Sequence, residues 1–133
     1  MNQNVPILYN AGSARMGAQV SDILDGEAPH RRRVQLADAL GRLGASRFAK
    51  MLVHGSLDVE LYAPRGSDPQ LPHTRDELYV IVRGEGMFIN GDVRHPFETG
   101  DVMFVPAGEV HRFEDFSEDL VTWVIFWGPQ GGE

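Results

Sequence analysis

Residues 100–111 have the sequence Gly100-Asp-Val-Met-Phe-Val-Pro106-Ala-Gly108-Glu-Val-His111, and this segment tells most about how the chain folds. Gly100 permits a tight turn into a short apolar run, and Pro106 and Gly108 shape a second turn at its far end. The chain then reverses and aims His111 inward. The pattern therefore predicts two short strands joined by a turn, with a histidine on their inner side.

A second segment lies upstream and has the sequence His73-Thr-Arg-Asp-Glu77-Leu-Tyr-Val-Ile-Val-Arg-Gly84-Glu-Gly86. It places a histidine and a carboxylate at the entry to another strand, from which they can converge with His111. The chain has no cysteine, so neutral imidazole is its strongest ligand for a transition metal. Two histidines with one carboxylate suit Fe, Mn, Ni, Cu, Co or Zn, and they match the facial arrangement of non-haem iron oxygenases.

The residues around these segments predict an all-β domain. From residue 46 onward, β-branched and aromatic residues occur in short runs bounded by Gly, Pro, Asp or Asn, a pattern typical of a sandwich or barrel. Asn90-Gly91 is the strongest hairpin signal. Strands are predicted at residues 47–53, 57–63, 77–83, 86–90, 101–105, 110–114 and 120–127.

The chain before residue 46 has a different character. Leu36, Leu40 and Leu43 recur on one helical face, and Gly44 follows as a C-cap. We therefore expect residues 1–45 to form an N-terminal arm and a short helix that packs on a barrel made by residues 46–133.

The two segments resemble the two sequence motifs of the cupin superfamily, in particular its small single-domain members of the cupin 2 conserved barrel type. Residues 100–111 match Gly-x5-Pro-x-Gly-x2-His at every defined position, and Glu77 and Gly84 keep the first motif's spacing with six residues between them. The resemblance implies a single-domain cupin with a jelly-roll, or double-stranded β-helix, barrel. It also implies one divalent transition metal ion held by His73, Glu77 and His111.

The sequence departs from the family pattern at one position. The first motif has two histidines separated by one residue, and Leu71 stands where the first of them is expected. Three interpretations follow. Three protein ligands suffice and leave positions for water or substrate, or Gln70 or His54 supplies a fourth ligand, or the barrel binds its ligand without a metal.

Strand periodicity predicts the substrate pocket. Residues with the parity of Glu77 share its face, which places Tyr79 and Ile81 inside, and the same rule applied to the second motif places Phe113 inside. The pocket is therefore expected to be small and largely apolar. Arg75, in the loop that faces the mouth of the barrel, is a candidate partner for a substrate carboxylate.

The resemblance does not determine a reaction, because cupins include dioxygenases, isomerases, epimerases, decarboxylases and non-catalytic binders. We expect a small metal-binding cupin and, if it is an enzyme, a metal-dependent dioxygenase of the non-haem iron type that acts on a small organic substrate. The alternatives are a non-catalytic module that binds a small ligand and a cupin isomerase. The sequence contains no serine-nucleophile, phosphate-loop or dinucleotide-binding motif at a strand-to-helix turn.

Composition limits the partners and the location. With 19 acidic and 12 basic residues among 133, the formal charge of −7 would repel nucleic acid and anionic membranes. The absence of cysteine suits a reducing compartment, and the first residues lack the pattern of a signal peptide, so we expect a cytoplasmic protein.

Two predicted strands indicate self-association. Leu78 to Val82 and Leu120 to Trp127 carry apolar residues on both faces, whereas a barrel this small buries only one face in its core. The outer face must then be covered by the N-terminal helix or by a second subunit. We therefore expect a homodimer.

Overall fold

The computed structural model describes residues 32–133, and within them one helix precedes eight strands. Residues 1–31, in which most of the predicted N-terminal arm lies, are outside this range. The elements are α1 (Leu36–Leu43), β1 (Phe48–His54), β2 (Leu57–Tyr62), β3 (Asp76–Arg83), β4 (Gly86–Asn90), β5 (Val93–Phe97), β6 (Val102–Val105), β7 (His111–Glu114) and β8 (Val121–Trp127).

The strands form two antiparallel sheets. One has five strands in the order β1-β2-β8-β3-β6, and the other has three in the order β5-β4-β7. Strands that are distant in sequence therefore pair, as β2 does with β8 and β4 with β7. This arrangement confirms the predicted all-β jelly-roll barrel.

The sequence prediction missed one strand, β5, so its count of seven strands was one too low. β5 pairs with β4 from Gly86↔Phe97 to Asn90↔Val93 and completes the hairpin predicted at Asn90-Gly91. The predicted strand ranges did not include β5, which contains Pro96, a residue that argues against a central strand. Proline is tolerated here because β5 is the edge of its sheet.

Aromatic side chains fill the barrel interior between the two sheets. Tyr79 packs edge-on against Phe88 and Phe113, with ring centroids 5.5 and 5.1 Å away. Ile81 and Phe97 belong to the same buried cluster. Burial of each such side chain contributes about 1.5–3 kcal/mol. These side chains are almost fully buried, so this part of the interior is a closed core.

A second apolar cluster lies on the outside of the five-stranded sheet, beneath α1. Ala39 and Leu43 of the helix pack there with Met51, Leu61 and Val121. The helix ends at Gly44, whose φ of 52° suits glycine. Helix α1 of the same chain therefore covers part of the outer face of the five-stranded sheet, which was one of the two alternatives expected from the sequence.

The remaining outer face carries exposed apolar side chains. Val102 and Phe104 on β6 are 59% and 50% exposed, and the Phe104 ring lies 6.1 Å from that of Trp127. The homodimer stays a prediction. In the described part of the chain, no helix is long and apolar enough to cross a membrane.

Candidate metal centre

The fold brings together the three side chains predicted to bind a metal. Glu77 lies on β3 of the five-stranded sheet, His111 begins β7 of the three-stranded sheet, and His73 lies in the loop before β3. One donor atom from each, all three within 4.8 Å of one another, can face a common point. The site therefore lies between the two sheets and borders the aromatic core, where the Tyr79 ring lies 6.1 Å from that of His111.

The separations of these atoms resemble those around one ion. His111 Nε2 lies 3.1 Å from Glu77 Oε1, and His73 Nε2 lies 3.8 Å from the same oxygen. Two ligands about 2.1 Å from a shared ion are about 3.0 Å apart at a right angle and about 3.4 Å apart at a tetrahedral angle. The cluster thus has the dimensions of a small transition-metal site, while metal ligation by these residues stays a prediction.

The burial of these groups tests whether a metal fits. Glu77 is 0% exposed and His111 is 2% exposed. Three of their atoms, Glu77 Oε1, Glu77 Oε2 and His111 Nε2, have no hydrogen-bond partner. The 3.1 Å approach of His111 Nε2 to Glu77 Oε1 is an ion pair only when His111 is protonated. A buried carboxylate without donors is costly. A divalent cation would satisfy all three atoms, so the residues fit the group.

The His111 ring is oriented from its far side. Its Nδ1 lies 2.9 Å from the carbonyl oxygen of Glu109, so Nδ1 donates its proton there and Nε2 faces the cluster. Burial lowers the pKa of His111, but the Glu77 carboxylate and the Glu109 carbonyl outweigh burial and raise it. The site therefore attracts positive charge at Nε2, as a proton or as a metal ion.

The backbone ties His73 to the turn that carries His111. Gly108 donates its N–H to the His73 carbonyl oxygen over 2.6 Å, so the glycine of the second segment also anchors the first. The His73 ring stands edge-on to Phe126, with centroids 4.9 Å apart. Burial, more than any other factor, lowers the pKa of His73. A lowered pKa favours the neutral form of the ring, which is the form that metals bind.

A cavity of about 410 Å³ opens above the cluster, and its wall differs from the predicted one. Arg75 is among its lining residues, whereas Tyr79, Ile81 and Phe113 belong to the buried aromatic cluster. Strand parity placed these three side chains correctly inside the barrel. They pack against one another and against other aromatic rings, so they leave no space for a ligand between them. The cavity is lined by Phe48, Asp58, Glu60, Tyr62, Gln70, His73, Thr74, Arg75, Glu77, Val124 and Phe126.

The sequence prediction missed the polar residues that β2 contributes to this cavity. Asp58, Glu60 and Tyr62 face it on one side of the strand, while Leu61 packs beneath α1 on the other. The alternation is visible in the sequence, but a polar strand face ordinarily points to solvent. Burial first, and the neighbouring Asp58 carboxylate next, raise the pKa of Glu60 to about 7.

Arg75 is held at the rim by groups of the same chain. Its guanidinium donates to the Ser56 carbonyl oxygen, lies 3.9 Å from Asp58 Oδ2 and sits 5.7 Å above the Phe126 ring. These contacts fix it beside the cavity. Its pairing with a substrate carboxylate stays a prediction.

The two candidates for a fourth ligand lie in different places. Gln70 lines the cavity, and its Oε1 lies 3.3 Å from His73 Nε2. His54 is exposed at the end of β1 opposite Leu57, outside the cluster formed by the described residues. Leu71, which stands in the family's histidine position, is 76% exposed.

Comparison with known proteins finds a matching family and a similar bacterial protein. A family model described as a cupin domain matches residues 58–127. An uncharacterized protein of Streptomyces coelicolor is 35% identical over 85 residues, which cover 62% of this chain and 81% of that protein.

Two solved structures are similar to this chain in fold. A cupin 2 conserved barrel domain protein from Salinispora arenicola gives a TM-score of 0.52 at 19% identity, covering 61% of this chain and 74% of that one. The cupin domain of Schizosaccharomyces pombe Cnp3 gives 0.55 at 14% identity, covering 62% and 60%. At these identities the likeness concerns the fold alone.

Proposed function

The chain belongs to the cupin domain family, and from this membership we propose that it binds one divalent transition metal ion through His73, Glu77 and His111. The metal would bind a small organic ligand held in the cavity above it. We also propose the arrangement expected from the sequence, with residues 1–45 as arm and helix on a barrel of residues 46–133.

The observation that carries this proposal is the unsatisfied polar cluster. Glu77 and His111 present three buried polar atoms without hydrogen-bond partners, and these atoms lie beside a cavity that a ligand can enter. Buried polar groups are ordinarily hydrogen bonded, and a cation that binds all three atoms at one point would account for this cluster. The donor set of nitrogen and oxygen suits a first-row transition metal.

A bound ion would supply Lewis-acid chemistry or, with a redox-active metal, electron transfer. The chain's own residues would bind and orient the ligand. The wall contributed by β2 presents the carboxyl groups of Asp58 and Glu60, which can accept hydrogen bonds from ligand hydroxyl or amine groups. Arg75 at the rim offers a positive charge to an acidic group.

Two reaction classes remain as proposals. The set of two histidines and one carboxylate supports a dioxygenase of the non-haem iron type. The alternative, a cupin isomerase, is supported by Glu60, because a carboxyl group with a pKa of about 7 can both accept and release a proton at neutral pH. A ligand-binding module without catalysis would use the same cavity.

Elemental analysis tests the metal proposal directly. We expect about one first-row ion per chain in protein purified without a tag, and loss of that ion in the double variant His73→Ala with His111→Ala. The control is Leu71→Ala, whose side chain is exposed. If the double variant retains the metal stoichiometry of the native protein, the proposed site is wrong.

A further inference from the structure

We infer that the side-chain oxygen of Gln70 is a fourth protein donor at this metal centre, where the family has a histidine, and that Asp68 positions it. The inference rests on the proposed metal centre. It distinguishes Gln70 from the neighbouring Leu71, which occupies the family's histidine position in the sequence.

The orientation of the Gln70 amide is determined by a buried carboxylate. Asp68 is buried, and it accepts hydrogen bonds from the Tyr62 hydroxyl, from the Phe113 backbone N–H over 2.8 Å and from Gln70 Nε2 over 2.8 Å. An ionised carboxylate only accepts hydrogen bonds, so it must face the NH2 group of the amide. The Gln70 oxygen consequently points away from Asp68.

That oxygen faces the metal cluster. Gln70 Oε1 lies 3.3 Å from His73 Nε2, a separation between the values of about 3.0 and 3.4 Å expected for adjacent ligands of one ion. The Tyr79 hydroxyl donates to the same oxygen over 2.9 Å. A carbonyl oxygen has two lone pairs, so one remains for the cluster.

The prolines around Gln70 explain why this residue, and not Leu71, faces the site. Pro69 and Pro72 favour the extended polyproline conformation, for themselves and for the residues before them. That conformation has about three residues per turn, so Gln70 and His73 share a side. Two histidines separated by one residue would instead share a side in a β-strand. The proline spacing therefore moves the inward position by one residue.

The first experiment compares metal affinities of Gln70→Ala and Gln70→Glu with that of the native protein, using Mn²⁺, Co²⁺ and Zn²⁺ in titration calorimetry. For a ligand oxygen, we expect Gln70→Ala to weaken binding about 10–100-fold and Gln70→Glu to tighten it, because a charged oxygen then stands at the same place. The opposite model has Gln70 Oε1 accept a hydrogen bond from a protonated His73 Nε2. In that case Gln70→Glu would hold the proton more firmly and weaken metal binding, which would overturn the inference.

A second experiment counts nitrogen ligands on the Cu²⁺-loaded protein by pulsed electron paramagnetic resonance. We expect Gln70→His to add a coordinated imidazole to those of His73 and His111, and the matched control Leu71→His to add none. A new imidazole signal in Leu71→His, or its absence in Gln70→His, would contradict the inference.

A double-mutant cycle tests the role of Asp68 as a positioning residue. Asp68→Asn lets the Gln70 amide rotate, so it should weaken metal binding in the native background and have no further effect on affinity when combined with Gln70→Ala. A purely structural role would lower affinity equally in both backgrounds. Failure of the proposed function is recognised separately, because His73→Ala with His111→Ala would then keep its metal. If that double variant loses the metal while both Gln70 variants bind like the native protein, only the present inference fails.

Discussion

Glu77 Oε1 and His111 Nε2 lie 3.1 Å apart although their strands belong to different sheets of the barrel. Neither atom is hydrogen bonded, so this approach adds no hydrogen-bond energy to the fold. Two facing polar atoms without a hydrogen bond are costly in a dry interior. The proposed metal ion would account for their closeness, and most of the predictions below test that proposal.

Glu77→Gln should weaken metal binding about 10–100-fold, because it removes the only negative charge among the three proposed ligands while it keeps the side-chain shape. Titration calorimetry with Zn²⁺ or Mn²⁺ measures the change. The control is Glu85→Gln, the same substitution at an exposed position. Equal affinities of the Glu77 variant and the native protein would place the metal elsewhere.

Added metal should stabilise the native protein and not His111→Ala. A ligand that binds only the folded state adds about 2.7 kcal/mol to the free energy of unfolding at a free concentration about 100 times its Kd. Thermal unfolding with EDTA and with saturating metal measures the difference. An equal rise of the melting temperature in both proteins would argue against binding at His111.

Glu60→Gln should change how stability depends on pH. Burial and Asp58 raise the pKa of Glu60 from 4.5 to about 7, so between these values the folded protein holds a proton that the unfolded chain has lost. Stability of the metal-free native protein should therefore fall as pH rises through this window, and the loss is complete above about 7. The stability of Glu60→Gln compared with that of the native protein should therefore be more favourable at pH 8 than at pH 4.

Unfolding in urea at a series of pH values tests this expectation, with EDTA present to keep metal away. Glu98→Gln is the control, since Glu98 is exposed. If native protein and Glu60→Gln show parallel curves, Glu60 does not carry the pH dependence.

Asp76→Ala should destabilise the protein by about 1–3 kcal/mol, because Asp76 is buried and both of its oxygens accept backbone hydrogen bonds. Oδ1 binds the N–H of Ala107 in the turn before β7 over 2.9 Å, and Oδ2 binds the N–H of Glu133 over 3.1 Å. Urea unfolding measures the loss. Asp92→Ala, at an exposed turn, should have little effect, and comparable losses in both variants would contradict this explanation.

The predicted homodimer should have twice the chain mass of 14.8 kDa in light scattering at micromolar concentration. Val102→Asp with Phe104→Asp introduces charges on the exposed apolar face of β6, so it should give monomers if that face forms the contact. A monomer mass for the native protein would show the dimer prediction to be wrong. Deletion of residues 1–30 tests the arm, and dissociation would show that the arm supplies the contact.

Much of the barrel was predictable because the signals are local. Glycine and proline mark turns through their own backbone preferences, and alternation assigns the side of a strand without knowledge of its neighbours. Both rules hold along the two motif segments, so Tyr79 and Phe113 were correctly placed inside the barrel, and Glu77 and His111 were correctly expected to converge. The same rules failed for β5, because Pro96 is acceptable only where a strand has a free edge.

The amino-acid sequence by itself determined the strand alternation, the turns and the residues able to converge on one point. The tertiary structure alone decided the character of the cavity. Asp58 and Glu60 face inward because α1 covers the opposite face of β2 around Leu61, and alternation cannot tell which of two faces will be covered. Likewise the orientation of the Gln70 amide depends on Asp68, whose carboxylate is held by the Phe113 N–H of a distant strand. Contacts between distant segments set these directions, and such contacts leave no local pattern.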